Sequence, residues 1–275
     1  MKKLFTPLIR LSLLGVFATL LTTDVNAQAI RARDVNNYLK RRDDGKSVSL
    51  FHRLEIAYMM TYGSGNVAIN YRFRDPSNFN NITGRSRATT FNYRATSGYT
   101  GVYFPMSYLS SNTALAMSVG LYGTASVWDI GNTSLQDNRV TTYESKDLYF
   151  GLPIGLDIIY GGEATMNKAD KVTLRGGIGV MPYFAAGELA DGSQDYGKLG
   201  VQPYVKAEIG FFAGVQWKLK GMVVAGSRTI YNYKAGDYRL QDANDYYSME
   251  FKIRPTFTVG IAVLPFSFGW ENDKW

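Results

Sequence analysis

Several residue types and motifs are missing from this chain, and each absence removes a class of function. The 275 residues contain no cysteine and one histidine, which excludes a disulfide framework, thiol chemistry and zinc sites built from cysteine and histidine. No GxSxG, HExxH or P-loop pattern occurs. The basic residues are scattered along the sequence, so no nucleic-acid footprint is indicated. We therefore expect no metal, no cofactor and no nucleic acid.

Long hydrophobic runs are also scarce, and the one near the N-terminus is short. Three basic residues precede the apolar stretch 11–21, and residues 25–27 (Val-Asn-Ala) end in the small residue typical of a cleavage site. This pattern predicts a secretory signal peptide at 1–27. No later stretch approaches the roughly 20 apolar residues of a transmembrane helix. A mature chain that stays in a membrane must then do so as a closed β-barrel.

Residues 28–47, which follow the predicted cleavage site, are polar and charged. We interpret them as a periplasmic leader; a small plug or docking helix is the alternative. The remaining chain, 48–275, is then the folded domain. We interpret it as a single domain.

What the sequence does contain is alternation with period two, most clearly between Tyr247 and Val263. Odd positions there are apolar, whereas even positions carry Glu250, Lys252 and Arg254 or small residues. Successive side chains of a strand point to opposite faces. The apolar face either packs on a second sheet, as in a soluble sandwich, or faces lipid, as in an outer-membrane barrel.

The first strands show a change of phase. Apolar residues occupy even positions before Gly63 and odd positions after Gly65. Such a change predicts a turn or a bulge at that point.

Short and long connections alternate between the predicted strands, which is typical of outer-membrane barrels. The predicted short connections are 110–112 and 218–221, the medium one is 161–170, and the long ones are 75–99, 129–145, 186–198 and 234–246. The pattern predicts an all-β, transmembrane, antiparallel up-and-down barrel of eight strands, provided that 50–74 form one long bulged strand. If 88–95 form a separate strand, the count is ten.

Aromatic residues gather near the predicted strand ends, where a membrane interface would place them. They are Trp128, Tyr160, Trp217, Tyr231, Tyr233, Tyr246, Tyr247 and Trp270.

The export signal, the alternating strands, the glycine-rich phrases at 151–162 and 175–184 and the aromatic C-terminus at Trp275 together resemble the small outer-membrane β-barrel (porin-like) superfamily. The resemblance covers most of the mature chain and implies a location in the bacterial cell outer membrane. One departure is that residues 271–274 (Glu-Asn-Asp-Lys) interrupt the alternation before Trp275. We therefore expect the last strand to end near Trp270.

The predicted polar face carries charges that would point into the barrel. They are Arg53, Glu55, Arg72, Arg74, Asp147, Asp157, Arg175, Lys206, Glu208, Glu250, Lys252 and Arg254. An eight-stranded barrel has an interior just wide enough for side chains, so these charges would pair into a salt-bridged core. The alternative is a narrow pore that favours anionic solutes.

Three functions follow for such a barrel. The first is a structural or ligand- and partner-binding protein acting through four long outer loops, one of which holds the basic cluster Arg85, Arg87 and Arg94. The second is the narrow pore, and the third is an accessory subunit of an envelope or secretion assembly. We expect outer-membrane lipid as a partner, with lipopolysaccharide or an envelope protein as candidates.

The resemblance also makes enzymatic activity a candidate function, because the superfamily includes lipid-modifying and proteolytic members. Their chemistry rests on a histidine with polar partners at the outer rim. The one histidine, His52, lies at the start of the first predicted strand, away from the long loops. We therefore expect no catalytic residue and no enzymatic activity.

Overall fold

The structure is a computed structural model that describes residues 50–74, 81–133, 140–188, 195–235 and 246–270. The predicted signal peptide and leader lie outside these residues, as do the tips of four connections. Among the helices in these ranges, none combines the length and the apolar character needed to cross a membrane.

The described chain is almost entirely antiparallel strand. Short 3-10 turns at Leu50–Arg53 and Ser267–Gly269 flank the strands, and a four-residue helix, α1, spans Gly162–Thr165. The strands are β1 (Glu55–Tyr62), β2 (Ser64–Arg74), β3 (Asn81–Ser110), β4 (Thr113–Thr133), β5 (Val140–Gly151), β6 (Ile154–Gly161), β7 (Val172–Glu188), β8 (Asp195–Ala213), β9 (Val215–Val224), β10 (Arg228–Ala235), β11 (Tyr246–Ile253) and β12 (Thr256–Leu264).

Eight strand positions close into a ring. β5 and β6 are two parts of one position, since both pair with β4 and β7. The ring order is β1, β3, β4, β5 with β6, β7, β8, β9 and β12, and it closes where Ile56 of β1 pairs with Val263 of β12. The predicted up-and-down barrel of eight strands is confirmed. Residues 88–95 belong to β3, so they are not an extra strand.

Short connections gather at one end of the ring, which we call the lower end, together with the two 3-10 turns. The turn between β3 and β4 is at 111–112, as predicted. The turn between β8 and β9 is Gly214, whose φ of 76° favours glycine. The predicted turn at 218–221 must be corrected: these residues lie inside β9, because Lys218 and Lys220 continue its alternation with apolar neighbours.

The outer face of the ring is apolar on every strand. Leu121 is 61% exposed and Ile178 is 63% exposed, which a water-soluble sheet avoids over so wide a surface. Each ring position contributes at least one such side chain: Ile56, Met106, Leu121, Phe150, Leu156, Ile178, Val205, Leu219 and Ile261.

Four adjacent strands continue above the ring as a separate sheet, which we call the cap. The cap consists of β10, β11, β2 and residues 81–91 of β3, in that order. Its faces are reversed relative to the ring, because its apolar side chains Val67, Phe251 and Ile253 are buried. On its outer side, Glu250 and Lys252 are exposed.

The reversal has two origins. From β1 to β2 the odd positions continue to face the interior, as the buried residues Glu55 and Val67 show. The apolar residues move from even to odd positions, and therefore from the outer face to the inner face. Between β11 and β12 the sequence keeps odd positions apolar, and the backbone changes phase at residues 254–255. The predicted turn or bulge at 63–65 is therefore a break at Gly63 without a change of phase.

Candidate functional site

The ring interior holds a cluster of eight charged side chains, which we call the charged cluster. All eight are at most 4% exposed. Four are acidic and four are basic, so the cluster is formally neutral: Glu55, Asp157, Glu163 and Glu208, with Arg175, Lys206, Lys218 and Lys220.

Arg175 of β7 is the central cation. Its Nε donates to Asp157 Oδ2 at 2.9 Å and its Nη1 donates to Glu163 Oε1 at 2.9 Å. Nη1 also lies 3.3 Å from Glu55 Oε2 on β1, at the opposite wall. The guanidinium packs over the Tyr103 ring at 4.9 Å. Arg175 thus connects strands that are not neighbours in the ring.

Two lysines of β9 complete the connection. Lys218 Nζ donates to Glu208 Oε2 at 2.7 Å and to Glu163 Oε1 at 3.1 Å, and it also pairs with Glu55. Lys220 Nζ donates to Glu55 Oε1 at 2.5 Å and lies 3.5 Å from the Tyr99 ring centroid. Because buried charge is tolerated only when it is paired, these contacts explain how the lysines remain inside.

The connection between β6 and β7 folds inward and delivers Glu163. Gly161 makes this possible: its φ is 84°, and a Cβ there would lie 2.0 Å from the Val172 carbonyl oxygen. The Tyr103 hydroxyl donates to the Glu163 carbonyl oxygen at 2.9 Å, and the Glu163 N–H donates to Thr173 Oγ1 at 3.1 Å. This segment therefore covers the lower end of the lumen.

Three carboxylates of the charged cluster, Glu55, Glu163 and Glu208, lie close enough to share one metal ion. These carboxylates already pair with Arg175 and Lys218, each of which contacts all three. Lys220 supplies the third positive charge through Glu55 and Glu208. A cation would have to displace these partners, so the chemistry that the arrangement offers is a salt-bridged closure of the lumen.

Above the charged cluster the interior is lined with hydroxyl groups. Thr61 Oγ1 lies 2.8 Å from the Tyr122 hydroxyl and 2.9 Å from Thr258 Oγ1, and Ser97 Oγ lies 3.0 Å from Thr124 Oγ1. These bonds join β1, β3, β4 and β12. The middle of the lumen is therefore closed by neutral hydrogen bonds as well as by ion pairs.

Beneath the cap lies a small cavity, which we call the chamber. Its volume is ≈ 10 Å³, room for about one water molecule. Arg228 lies at its side, pairs with Asp147, and stacks 4.2 Å from the Tyr149 ring centroid. The chamber is lined by Thr61, Asn92, Tyr122, Thr124, Ser126, Trp128, Tyr149, Arg228 and Thr256.

Half of the charges predicted to face the lumen are buried on the inner face of the ring: Glu55, Asp147, Asp157, Arg175, Lys206 and Glu208. The expectation for Glu250, Lys252 and Arg254 must be corrected, because all three are exposed. In the cap these charged side chains lie on the outer face, where Phe91 is also exposed, and Val67, Phe251 and Ile253 lie on the inner face. These charges therefore point away from the interior. The side chains of Arg72, Arg74, Arg85, Arg87 and Arg94 lie outside what the structure describes.

Four important residues were not among the predicted site residues: Glu163, Lys218, Lys220 and Arg228. Lys218 and Lys220 alternate with Trp217 and Leu219, which is the pattern of a strand. The two lysines and the following glycine also resemble a turn, and this resemblance led to the wrong prediction. Glu163 gave no periodic signal, because it enters the lumen from a folded connection.

Two tryptophans predicted for the interfacial girdle are inside instead. Trp128 is 1% exposed and Trp270 is 4% exposed. Trp270 Nε1 donates to the His52 carbonyl oxygen at 3.2 Å, and its ring stacks on Phe212. His52 therefore lies at the lower end, where Trp270 ties the two described termini together. Tyr160 and Trp217 are on the outer face.

Comparison with known proteins gives similar structures only. Neither a family model nor a curated protein matches the sequence. The outer membrane protease OmpT from Escherichia coli is similar at 10% identity, over 79% of this chain and 99% of that chain, with a TM-score of 0.37. The outer membrane protein OprG from Pseudomonas aeruginosa is similar at 10% identity, over 78% and 98%, with a TM-score of 0.40.

A third similar structure is Ail, the attachment invasion locus protein of Yersinia pestis, at 10% identity over 77% of this chain and 98% of that chain, with a TM-score of 0.25. The prediction that excluded enzymatic activity must be corrected, because a protease, OmpT, is among the similar structures. With its closed ring of eight antiparallel strands and its apolar outer face, the chain resembles the small outer-membrane β-barrel proteins.

Proposed function

We propose that this protein is an outer-membrane β-barrel that is sealed to solutes and acts as a structural or binding protein at its upper end. The observation that carries the proposal is the neutral charged cluster, which spans the lumen from β7 to β1. A pore needs a continuous aqueous path. Here paired side chains occupy the middle of the lumen.

The outer face supports the membrane part of the proposal. Exposed apolar side chains on all eight ring positions suit lipid, and their alternation with inward polar residues matches the pattern of barrels in outer membranes. Export by the signal peptide at 1–27, and lipopolysaccharide or an envelope protein as a partner, are parts of the same proposal. A narrow pore is the second candidate, and the filled lumen counts against it.

The experiment is single-channel conductance of the detergent-folded mature chain in a planar bilayer. We expect no steady current from inserted protein. A steady, ohmic current from the unmodified chain would overturn sealing and make solute passage the working function.

A matched variant shows that silence does not come from failed insertion. Glu55→Ala combined with Lys220→Ala removes one acid and one base that pair at 2.5 Å, which keeps the charged cluster neutral while it shortens two side chains in the lumen. We expect small currents from this variant only.

A further inference from the structure

The outer face of the cap carries a concentration of basic residues, and we call it the basic face. Val67 is buried, so the even positions of β2 form its outer side. Directly paired positions of antiparallel strands share a face, and Ala68 pairs with Arg87 and Asn70 with Arg85. The same register assigns seven cations to the basic face: Arg72, Arg74, Arg85, Arg87, Lys234, Lys252 and Arg254.

One carboxylate, that of Glu250, opposes these cations among the described positions of the basic face. The other positions that the register assigns to the face are serine, threonine, asparagine, alanine, tyrosine and Phe91. Like charges at neighbouring strand positions repel one another and destabilise a sheet. A partner that supplies anionic groups would remove this repulsion.

The opposite wall of the upper end, built from β4, β5, β7 and β8, has the reverse charge. On its outer face Asp129 of β4 pairs with Glu144 of β5. Lys146 of β5 pairs with Glu188, which in turn pairs with Asp195 of β8. Four acids and one base therefore occupy these positions. In the described part of the upper end, the basic character belongs to the cap side.

The basic face begins beside the apolar surface of the ring and extends well above it. The exposed apolar side chains end at Tyr62 on β1 and at Phe257 on β12, next to Arg254. Arg72 is ten residues beyond Tyr62, which places it roughly 25 Å higher at about 3.3 Å per residue and a tilt of about 40°. A phospholipid headgroup layer is only about 5–8 Å thick. It would reach Lys252 and Arg254 and leave the arginines of β2 and β3 uncovered.

The direction of the basic face favours a lipid of the surrounding membrane as the partner. The cap continues strands of the ring, so its outer face is directed sideways, above the lipids that surround the ring. A lipid that covers the upper cations needs an anionic headgroup that extends about 25 Å from the hydrocarbon. A phosphorylated oligosaccharide headgroup has both properties.

A second copy of the chain fits the basic face less well. The membrane would hold its acidic wall at the same height, but the carboxylates of that wall are close to the apolar surface. Three of them lie four residues from an exposed apolar side chain: Glu144 from Leu148, Glu188 from Phe184 and Asp195 from Leu199. Arg72 and Arg74 lie farther from the membrane than these carboxylates, so a second copy would leave them uncovered.

We propose that the basic face binds the phosphates of lipopolysaccharide, a lipid with a phosphorylated oligosaccharide headgroup, in the outer leaflet beside the barrel. The inference rests on the proposed function as a binding protein at the upper end, and it gives one of the two partners named there a site. Lys252 and Arg254 contact the phosphates nearest the hydrocarbon. Arg85 and Arg87 contact those farther out, since a guanidinium can hold a phosphate by two parallel hydrogen bonds.

The experiment measures the binding of fluorescently labelled rough lipopolysaccharide to the detergent-folded mature chain by anisotropy. Arg85→Gln combined with Arg87→Gln should weaken binding about tenfold, the loss expected from two exposed ion pairs. Lys168→Gln combined with Lys171→Gln removes the same charge from the connection between β6 and β7 and should change the affinity by less than about twofold. Equal affinities of the two double variants would overturn the proposal.

A conservative pair shows whether charge or folding causes the loss. Arg85→Lys combined with Arg87→Lys keeps both charges, so it should bind at least about threefold more tightly than the glutamine pair. Equal weakness of the lysine and glutamine pairs would overturn the role of charge.

Labelled phosphatidylglycerol tests the length of the headgroup. Its binding should be weakened by Lys252→Gln with Arg254→Gln and unchanged by the substitutions at Arg85 and Arg87, because its phosphate stays at the membrane edge. Phosphatidylglycerol that binds as tightly as lipopolysaccharide would overturn the ligand class, as would undiminished binding of lipopolysaccharide stripped of its phosphates. Dimers that form without lipopolysaccharide and dissociate in salt would overturn the proposal in favour of a second copy.

Single-channel conductance separates this proposal from the proposed function. A silent chain that does not bind lipopolysaccharide keeps the sealed barrel and removes the lipid site. A conducting chain that binds lipopolysaccharide keeps the lipid site and overturns sealing.

Discussion

The strands of the cap continue strands of the ring, and β3 runs through both, yet the faces of the ring and the cap are reversed. In the ring, β12 exposes Phe257 and Ile261 and buries Thr258. In the cap, β11 buries Phe251 and Ile253, and Lys252 is exposed. The strands show that the surroundings of a face, rather than its inner or outer position, decide whether it is apolar.

The reversal indicates where the surroundings change. Lipid against the outer face makes apolar side chains favourable there and leaves polar ones to the interior. Water against the outer face has the opposite effect, so the apolar side chains turn inward. The level of Gly63 and Arg254 is thus the level at which we place the upper edge of the membrane.

The largest expected effect comes from breaking the polar interior of the ring. Arg175→Ala leaves four carboxylates of the charged cluster with three cations, and loss of one member of a buried ion network costs about 3–5 kcal/mol. The measurement is urea unfolding of the chain folded into lipid vesicles. Arg254→Ala is the matched control, since its exposed side chain lies outside the ring and should contribute within about 0.5 kcal/mol. Equal losses would contradict the role of the charged cluster.

The second-largest expected effect is that of an arginine placed on the outer face of the ring, compared with an arginine placed on the outer face of the cap. Leu121 in the ring is 61% exposed and Phe91 in the cap is 67% exposed. Leu121→Arg should cost about 2–4 kcal/mol if the site is near the membrane midplane, because the charge enters lipid. Phe91→Arg should cost little, because it enters water. The same unfolding assay checks both, and similar costs would remove the distinction between the faces.

The smallest effect tests the packing of the cap. A Cβ at Gly65 would lie 2.4 Å from the Phe251 ring, so Gly65→Ala should destabilise by about 1–3 kcal/mol through overpacking. Gly98→Ala is the control, since nothing lies within 4 Å of its Cβ position, and it should stabilise by about 0.4–1 kcal/mol. Hydrogen exchange of cap amides locates the loss; protection unchanged in the Gly65 variant would show that Phe251 does not hold the cap.

The sequence predicted the ring well, because period two and the spacing of turns are local signals. The number of strands follows from residues that are near one another in the chain. The same local pattern places Arg175 and Lys206 on the inner face of their strands. The cap was not predicted, since a strand reads the same whether its apolar face meets lipid or another sheet. Only the neighbours of Phe251 and Lys252 distinguish the two cases.

The contacts of the charged cluster were beyond the sequence for a different reason. Glu55 and Lys220 are 165 positions apart, and closure of the ring brings them together. Glu163 depends on the inward course of one connection and on the positive φ of Gly161. Such contacts depend on the closed ring and carry no periodic signature.

The most direct test of the reversed faces is labelling of single cysteines by a water-soluble maleimide in lipid vesicles, which the cysteine-free chain permits. Cysteines at Leu121 and Ile261 report on the outer face of the ring, and cysteines at Phe91 and Lys252 report on that of the cap. We expect rapid labelling in the cap and protection in the ring until the vesicles are dissolved. Equal labelling at all four positions would contradict the reversal of the faces.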